Sequence, residues 1–277
     1  MSTKEFSWQT KDQLKIYAVE WSVEQPKAVI ALVHGLGEHC RRYDHLARFF
    51  NDQGYAMLGY DRRGHGRSEG KRGHTTSYAA FLDEVQTLVS HCKDKFPDCP
   101  LFLYGHSMGG NLALNYLLQR QPKDIKGIVV TGAWIKLATN PPAFLLWLGK
   151  LMRIIYPAFT QPNGLDANHI STVKKEVDAY ANDPLVHDKV TSATGIDMLK
   201  AGNFLATYRG NFSVPLLMMH GGEDKIIDPA GSRDFCQNVS GLVQHKEWPN
   251  LYHEIHNEAN ADEIFNFALQ WMEGLST

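Results

Sequence analysis

A serine flanked by glycines is the clearest chemical signal in the sequence. Residues 105–110 read Gly-His-Ser-Met-Gly-Gly, which fits the pattern G-x-S-x-G with Ser107 at its centre. The apolar run 101–104 precedes this motif, and a helical pattern from Met108 to about Arg120 follows it. A serine on a sharp turn between a strand and a helix is exposed as a nucleophile, and the turn needs small neighbours. Ser107 is therefore the predicted nucleophile, and a serine that only caps the helix is the structural alternative.

An acid to assist this serine is expected later in the chain. A serine hydroxyl at neutral pH is a poor nucleophile, and in strand-turn-helix sites of this kind the chain order is serine, acid, histidine. Asp224 comes just after the strand-like run 214–219, so it is the predicted acid, with Glu223 as the weaker candidate. Asp228 directly precedes Pro229, and this pair is typical of a helix N-cap followed by proline in the first turn.

The base is expected between the last strand and the final helix, where residues 251–256 read Leu-Tyr-His-Glu-Ile-His. His253 and His256 are three residues apart, and the pattern alone leaves both as candidates. The segment superficially resembles the zinc motif H-E-x-x-H, in which histidines four residues apart share one helix face. Because the spacing here is three and no third ligand is evident, we predict no metal site.

Backbone N–H groups are the expected stabilisers of the oxyanion that forms when a serine attacks a carbonyl. The N–H of Met108 directly follows the nucleophile, at the positive end of the predicted helix. The glycine-rich segment 32–39 places Leu36 where a second donor is expected. Another glycine-rich segment, 61–68, is not G-x-G-x-x-G and lacks the acidic residue expected about 20 positions further on. We interpret it as a structural loop behind the serine turn and predict no nucleotide site.

The elements that must position these residues alternate between short apolar runs and longer amphipathic stretches. This alternation predicts an α/β fold with a mostly parallel central sheet and helices on both faces. Strands are predicted at residues 14–22, 27–33, 55–60, 101–104, 125–130, 214–219 and 244–248. Helices are predicted at residues 43–52, 78–95, 108–120, 231–239 and 259–272.

The alternation breaks between about residues 134 and 207. No convincing strand is predicted there, and the strings NPP, YPAF, QPNG and NDP separate short helical pieces. We interpret 134–207 as an inserted helical cap on a single α/β core formed by residues 1–133 and 208–277. A length of 277 residues suits one such domain with an insertion better than two unrelated domains.

Composition excludes several other classes of protein. The 28 Lys and Arg residues against 30 Asp and Glu give a net charge of -2, with no basic stripe for a nucleic-acid partner. Residues 1–21 lack the apolar core of a signal peptide, and no apolar run approaches the about 20 residues of a membrane span, so a cytoplasmic location is expected. The scattered cysteines are expected to be reduced thiols: Cys40, Cys92, Cys99 and Cys236.

Several strings together resemble the monoacylglycerol lipase and lysophospholipase branch of the α/β-hydrolases. They are HGLGEH at 34–39, YDRRGHGRSEG at 60–70, GHSMGG at 105–110, YANDPLV at 180–186, GGEDKIID at 221–228 and LYHEIHNE at 251–258. The resemblance covers most of the chain, and the HGxGEH and RGHGxS strings are more specific than G-x-S-x-G. It implies the α/β-hydrolase fold, with the cap inserted after the sixth strand.

The resemblance also implies a role for each site residue. Ser107, Asp224 and His253 correspond to the catalytic triad, and the backbone N–H groups of Leu36 and Met108 correspond to the oxyanion hole. The family holds a glycerol-like head group with four further side chains, which correspond to Glu38, Arg42, Tyr180 and His256 here. The middle of the cap, about 134–170, does not align with the family.

The implied reaction is hydrolysis of a lipid ester, foremost monoacylglycerol to fatty acid and glycerol, through an acyl-enzyme on Ser107 that water then cleaves. No cofactor is needed. Lysophospholipase, short-chain esterase, thioesterase and aminopeptidase activities are alternatives on the same scaffold, because the fold does not select the substrate. A non-catalytic ligand-binding protein is a more distant alternative. The oligomeric state is left open.

The cap stretch 142–156 combines a long apolar run with Lys150 and Arg153 on one helix face. It is too short and too charged to span a bilayer, and it suits a wall around an acyl chain. Two further interpretations remain. In the first, the two cations contact an anionic membrane surface, and the protein is peripheral to the membrane. In the second, the helix packs on the core and both cations lie in solvent.

Overall fold

The computed structural model describes residues 2–276, and ten strands lie in this range. They are β1 (Ser2–Gln9), β2 (Lys15–Ser22), β3 (Ala28–Val33), β4 (Tyr55–Tyr60), β5 (Leu101–His106), β6 (Gly127–Thr131), β7 (Thr160–Pro162), β8 (Lys189–Thr191), β9 (Leu216–Gly221) and β10 (Val243–Trp248). Eight of them form one sheet in the order β1-β2-β4-β3-β5-β6-β9-β10. β1 and β2 are antiparallel to each other and β2 to β4, while all other pairs in this sheet are parallel.

Helices cover both faces of this sheet, as predicted. Their bounds are α1 (Asp44–Asp52), α2 (Tyr78–Lys95), α3 (Met108–Arg120), α4 (Ala143–Ile155), α5 (Lys174–Asn182), α6 (Ser192–Thr207), α7 (Pro229–Asn238) and α8 (Ala261–Ser276). Apolar residues of α2, α3, α6 and α7 pack on one face, and those of α1 and α8 pack on the other. Successive residues of a strand point to opposite faces, so β3 is apolar throughout and buried throughout.

The parallel strands bring the predicted site residues to one edge of the sheet. In the register of the central strands, Val33 pairs with Gly105, His106 with Thr131, and Thr131 with Met219. The carboxyl ends of β3, β5, β6 and β9 therefore stand side by side. Ligand and catalytic sites of open α/β sheets lie outside these strand ends, in the loops that follow them.

Two regions of strand differ from the sequence prediction. The sheet begins at residue 2 with β1, and not at 14, because this edge strand is largely polar and exposed and gives no apolar signal. In the segment 134–207, where no strand was predicted, β7 and β8 pair antiparallel over three residues each. Strands this short are too brief for an alternating pattern to appear in the sequence.

The segment between β6 and β9 contains three helices, α4, α5 and α6, together with the short β7–β8 pair. It is tied to the loops at the carboxyl edge of the sheet. The N–H of His187 donates to the carbonyl of Gly37 at 2.8 Å, and the N–H of Glu254 donates to the carbonyl of Ile170 at 2.6 Å. Within residues 2–276, no helix is long and apolar enough to cross a membrane.

Candidate active site

Ser107 occupies the turn between β5 and α3 with a backbone conformation that non-glycine residues rarely adopt. Its φ is 52° and its ψ is −118°, so the residue is strained by side-chain sterics. The N–H of Ser107 donates to the carbonyl of Thr131 at 2.9 Å, and the Ser107 carbonyl accepts from the N–H groups of Asn111 and Trp134 at 3.0 Å each. These bonds on both sides hold the turn. The Ser107 hydroxyl does not cap the helix, unlike the structural alternative.

The glycines around Ser107 are required by close backbone approach. A Cβ atom on Gly109 would overlap the carbonyl oxygens of Val33 and His34, because α3 begins directly against the end of β3. A Cβ atom on Gly105 would lie 2.8 Å from the carbonyl oxygen of Gly109. The G-x-S-x-G spacing therefore follows from the space available at the turn, as the sequence suggested.

Asp224 and His253 meet beside this turn. The Nδ1 atom of His253 lies 2.6 Å from Oδ2 of Asp224, and both side chains are buried. The Asp224 Oδ1 atom accepts from the backbone N–H groups of Ile226 and Ile227 at 2.8 and 2.9 Å. Among the acids that compete for this role, Glu223 is exposed, and Asp228 accepts from the N–H of Ala230 as the predicted N-cap of α7.

The protonation of this pair suits a buried base. Burial favours a neutral Asp224, but the neighbouring His253 and the hydrogen bonds from His253 and His220 outweigh it and lower the pKa of Asp224. Burial likewise favours a neutral His253, yet the Asp224 carboxylate outweighs it and raises the pKa of His253 above its ordinary value of 6.5. Near neutral pH the pair therefore holds an ionised acid beside an imidazole poised to accept a proton.

His256, the other candidate base, occupies a different environment. It is fully buried, its ring stacks on Tyr43 with centroids 4.7 Å apart, and it meets the ring of His106 edge-on at 4.7 Å. Neither of its ring nitrogens has a hydrogen-bond partner among residues 2–276. Burial is the main cause that holds the pKa of His256 well below 6.5. A neutral histidine packed in this way has no contact with the acid.

The two predicted oxyanion donors lie in the loop after β3 and at the start of α3. Neither the N–H of Leu36 nor that of Met108 donates to a protein acceptor in the part of the chain that the structure describes. Leu36 lines the same cavity as Ser107. Its loop is fixed from behind by the fully buried Arg62, whose guanidinium donates to the carbonyls of His34 and Gly35. The segment 61–68 is therefore a structural loop, as interpreted from the sequence.

A buried group of charges adjoins the Leu36 loop. Arg42 donates to Glu38 Oε2 at 2.8 Å and makes a bidentate pair with Glu254 at 2.7 and 2.8 Å. Its guanidinium also lies 4.7 Å from the centre of the Tyr180 ring. Glu38 Oε1 accepts from the N–H of Gly35 at 2.5 Å and from the hydroxyl of Tyr43 at 2.8 Å.

The two carboxyl groups around Arg42 differ in their preferred protonation. Burial raises the pKa of Glu38, and Arg42 offsets this only partly. Burial acts in the same direction on Glu254, but the bidentate Arg42 outweighs it and lowers the pKa of Glu254 to about 2. The two carboxyl groups therefore shift in opposite directions, and the lowered pKa belongs to the one that Arg42 holds in two hydrogen bonds.

A cavity of about 590 Å³ connects these groups. Ser107 and His253 line it beside Glu38, Tyr180 and Glu254, and α4 and α6 contribute apolar walls with Leu145, Leu146, Ile196 and Leu199. The described residues that line the cavity include neither Arg42 nor His256. The direct contact of these two side chains with a substrate head group stays a prediction, and the structure places both behind the cavity wall.

Sequence reasoning missed two residues of this region, Glu254 and His220. Glu254 stands between the two competing histidines in the printed sequence, and nothing in the pattern sets it apart. His220 is the penultimate residue of β9, and its ring contacts Asp224. Nothing in the sequence indicated that contact.

Within residues 2–276, no group of three or more His, Cys, Asp or Glu side chains is arranged to hold a metal ion.

Comparison with known proteins identifies the family of this chain. The family model described as serine aminopeptidase, S33, matches residues 24–260, and the chain belongs to this family. It is 32% identical over 259 residues to a monoacylglycerol lipase of Mycolicibacterium smegmatis, covering 93% of this chain and 92% of that protein. It is 36% identical over 267 residues to an uncharacterized abhydrolase domain-containing protein of Dictyostelium discoideum, covering 95% of this chain but only 28% of the other.

A solved structure shows the same fold. The monoglyceride lipase of Saccharomyces cerevisiae, a soluble variant in complex with a substrate analog, matches with a TM-score of 0.86 at 25% identity, covering 98% of this chain and 95% of that one. The predicted resemblance to the monoacylglycerol lipase branch and the predicted α/β-hydrolase fold are confirmed. The chain is a serine hydrolase that acts on esters, as predicted.

The buried charges around Arg42 generate a prediction about stability. Replacing Arg42 with Met leaves Glu38 and Glu254 buried without their cation, so the free energy of unfolding should fall by about 3–5 kcal/mol. The matched control is Arg120→Met, which removes a partly exposed pair with Asp83 and should cost about 1 kcal/mol or less. Urea unfolding measures both. Equal, small losses in the two variants would contradict a structural role for Arg42.

Proposed function

We propose that this protein hydrolyses monoacylglycerols to fatty acid and glycerol through an acyl-enzyme on Ser107. The proposal rests on the composition of the cavity that both Ser107 and His253 line. One set of its lining residues, Glu38, Tyr180 and Glu254, is polar and gathered around Arg42, while α4 and α6 supply an apolar set. A molecule with one small polar end and one long apolar end matches both sets.

The proposed reaction begins with proton transfer from the Ser107 hydroxyl to Nε2 of His253 as the serine oxygen attacks the ester carbonyl. Asp224 holds the Nδ1–H of the same ring and stabilises the imidazolium that forms. The N–H groups of Leu36 and Met108 receive the negative charge of the carbonyl oxygen. His253 then gives its proton to the leaving glycerol oxygen, and a water molecule activated by His253 cleaves the acyl-enzyme.

We assign head-group binding to Glu38 and Tyr180, which line the cavity, and a supporting role to Arg42. The Arg42 guanidinium contacts Glu38, Glu254 and the Tyr180 ring at once, so it fixes the positions of the polar wall without facing the substrate. His256 packs behind the same wall. Glycerol hydroxyls both donate and accept, so they pair with a carboxyl oxygen and with a phenol.

We also propose that residues 134–207 form a cap over this site. Support comes from their position between β6 and β9 and from the cavity walls that α4 and α6 contribute. The buried His39, next to the oxyanion loop, contacts Asp183 of this segment at 2.9 Å. A cap of this kind excludes water from the acyl chain and sets the length of chain that fits.

Lysophospholipid is the second candidate substrate because a lysine lines the cavity. The exposed Lys225 lines it, with its ammonium group 4.8 Å from the centre of the Tyr252 ring. An ammonium group attracts a phosphate, whereas glycerol has no charge for it. A relative from Bacillus subtilis, 30% identical over 250 residues, is named a phospholipase.

Turnover of a lipid panel tests the substrate class. We expect the kcat/KM for 1-monooleoylglycerol to exceed that for trioleoylglycerol by at least about tenfold, because each polar wall group left unpaired against a diacyl head costs about 1–3 kcal/mol. Ser107→Ala is the control and should be inactive on every ester. A higher rate on lysophosphatidylcholine that Lys225→Gln removes would favour the second candidate, and equal rates on mono- and triacylglycerol would contradict the first.

We further propose that α4 brings the cap to a lipid surface. Its outer face exposes Phe144, Trp147 and Ile154, at 66%, 59% and 81% of their surfaces, while its inner residues line the cavity. Of the two cations predicted to assist, only Lys150 is exposed, because Arg153 pairs with Asp197 at 3.0 Å. Apolar burial is therefore the main proposed source of membrane affinity.

Vesicle binding tests this surface. The double substitution Trp147→Ser and Ile154→Ser should lower co-sedimentation with phosphatidylcholine vesicles by at least about tenfold, because burial of one such side chain is worth about 1.5–3 kcal/mol. Leu242→Ser is the matched control, an equally exposed leucine outside the cap, and should bind as the wild type does. Unchanged binding of the double variant, or a dimer that the same substitutions dissociate, would contradict the membrane role.

A further inference from the structure

A second histidine contacts the carboxylate of Asp224. His220 is the penultimate residue of β9 and is fully buried. Its Nε2 atom lies 3.0 Å from Oδ2 of Asp224, the same oxygen that His253 reaches at 2.6 Å. Its Nδ1 atom lies 2.7 Å from the hydroxyl oxygen of Ser232, which is fully buried on α7.

The partners of His220 determine which of its ring nitrogens carries the proton. An ionised carboxylate only accepts hydrogen bonds, so Nε2 of His220 must carry the hydrogen that points at Asp224. In the neutral ring Nδ1 is then an acceptor, and the Ser232 hydroxyl donates to it. The Asp224 carboxylate thereby selects the tautomer of His220, and the Ser232 hydroxyl rotates to satisfy the remaining ring nitrogen.

We propose that His220 is a positioning residue for ester hydrolysis, which holds the Asp224 carboxylate in register with His253 and is itself held by Ser232. The proposal rests on the proposed triad. The order of donation is Ser232 hydroxyl to His220, His220 to Asp224, and His253 to Asp224. His220 does not touch the substrate, because it is not among the described residues that line the cavity.

The physical effect follows from the number of donors around the carboxylate. Two backbone N–H groups reach Oδ1, and two imidazole N–H groups reach Oδ2. Four donors fix the rotation of the carboxylate and spread its charge. Without His220, Oδ2 has only His253, so the carboxylate rotates more freely and holds a protonated His253 more tightly. Fewer molecules then have a neutral, correctly placed base near neutral pH.

Other charged or titratable groups surround His220 and stay constant in the test. Glu247 of β10 lies opposite His220 in the β9–β10 register, His245 also lies on β10, and Asp228 is the N-cap of α7. His253 itself faces Asp224, His106 and Glu254. Because all of these remain in every variant below, a change in the pH profile reports the loss of the His220 contact.

The test measures kcat and KM for p-nitrophenyl butyrate between about pH 5 and 8 in four proteins: wild type, His220→Ala, His220→Gln and Ser232→Ala. His220→Ala should lower kcat roughly 10- to 100-fold with little change in KM, and should move the acid limb of kcat/KM to higher pH. In the wild type the midpoint of that limb should already lie above pH 6.5, since the pKa of His253 is raised. Ser232→Ala should show a smaller change in the same direction.

His220→Gln provides the rescue, because its amide N–H can still donate to Asp224. It should keep kcat within about threefold of the wild type. The proposal is overturned if His220→Ala leaves both kcat and the pH profile unchanged, if its loss lies in KM, or if His220→Gln is as impaired as His220→Ala. If His220→Ala does not fold, Ser232→Ala decides by the same criteria. If the wild type hydrolyses this simple ester and Ser107→Ala does not, the triad is functional whatever the lipid substrate is. An incorrect role for His220 can therefore be distinguished from an incorrect proposed function.

Discussion

The strained backbone of Ser107 is the constraint on which the rest of the site depends. A conformation with φ at 52° costs about 1–3 kcal/mol for a residue with a side chain, so it persists only where the surroundings over-determine it. Here β5 lies between β3 and β6 in the centre of the sheet, and α3 begins against the end of β3. The two strands that flank β5, β3 and β6, are buried along their whole length. The serine is therefore presented at a fixed place, and the loops after β3, β9 and β10 converge on it.

Charged side chains lie around this point in two adjoining groups. Asp224 faces His253 and His220, and it serves the chemistry of proton transfer. Arg42 faces Glu38 and Glu254, and it organises the polar wall of the cavity. His106 stands between the groups, with its ring 4.7 Å from both His253 and His256 and its pKa held low, chiefly by burial.

Much of this arrangement could be predicted from the sequence, for identifiable physical reasons. The bounds predicted for α2 and α3 agree with the structure, because the apolar period of α2 and the G-x-S-x-G turn before α3 mark these helices in the sequence. The place of Asp224 after a strand predicts its role, and its carboxylate contacts a histidine of the expected segment. Local pattern also identified Asp228 as the N-cap of α7.

Other features depend on tertiary contacts that leave no local trace. The polar edge strand β1 is held by its pairing with β2, and β7 and β8 by pairing with each other across about 30 residues of chain. The sequence presents His253 and His256 as equals, and only packing turns one toward Asp224 and the other toward Tyr43. Glu254 acquires its role from Arg42, which lies 212 positions away in the chain, and His220 acquires its role through Ser232 of α7.

The central claim is that Ser107 is a nucleophile activated by His253 and Asp224, and covalent labelling tests it most directly. Folded protein is treated with a fluorophosphonate, and the modified residue is located by mass spectrometry of the peptides. We expect one adduct, on Ser107, formed rapidly in the wild type, absent in Ser107→Ala, and slowed by orders of magnitude in His253→Ala. No adduct on Ser107 in the folded wild type, or an equal labelling rate in His253→Ala, would contradict the account.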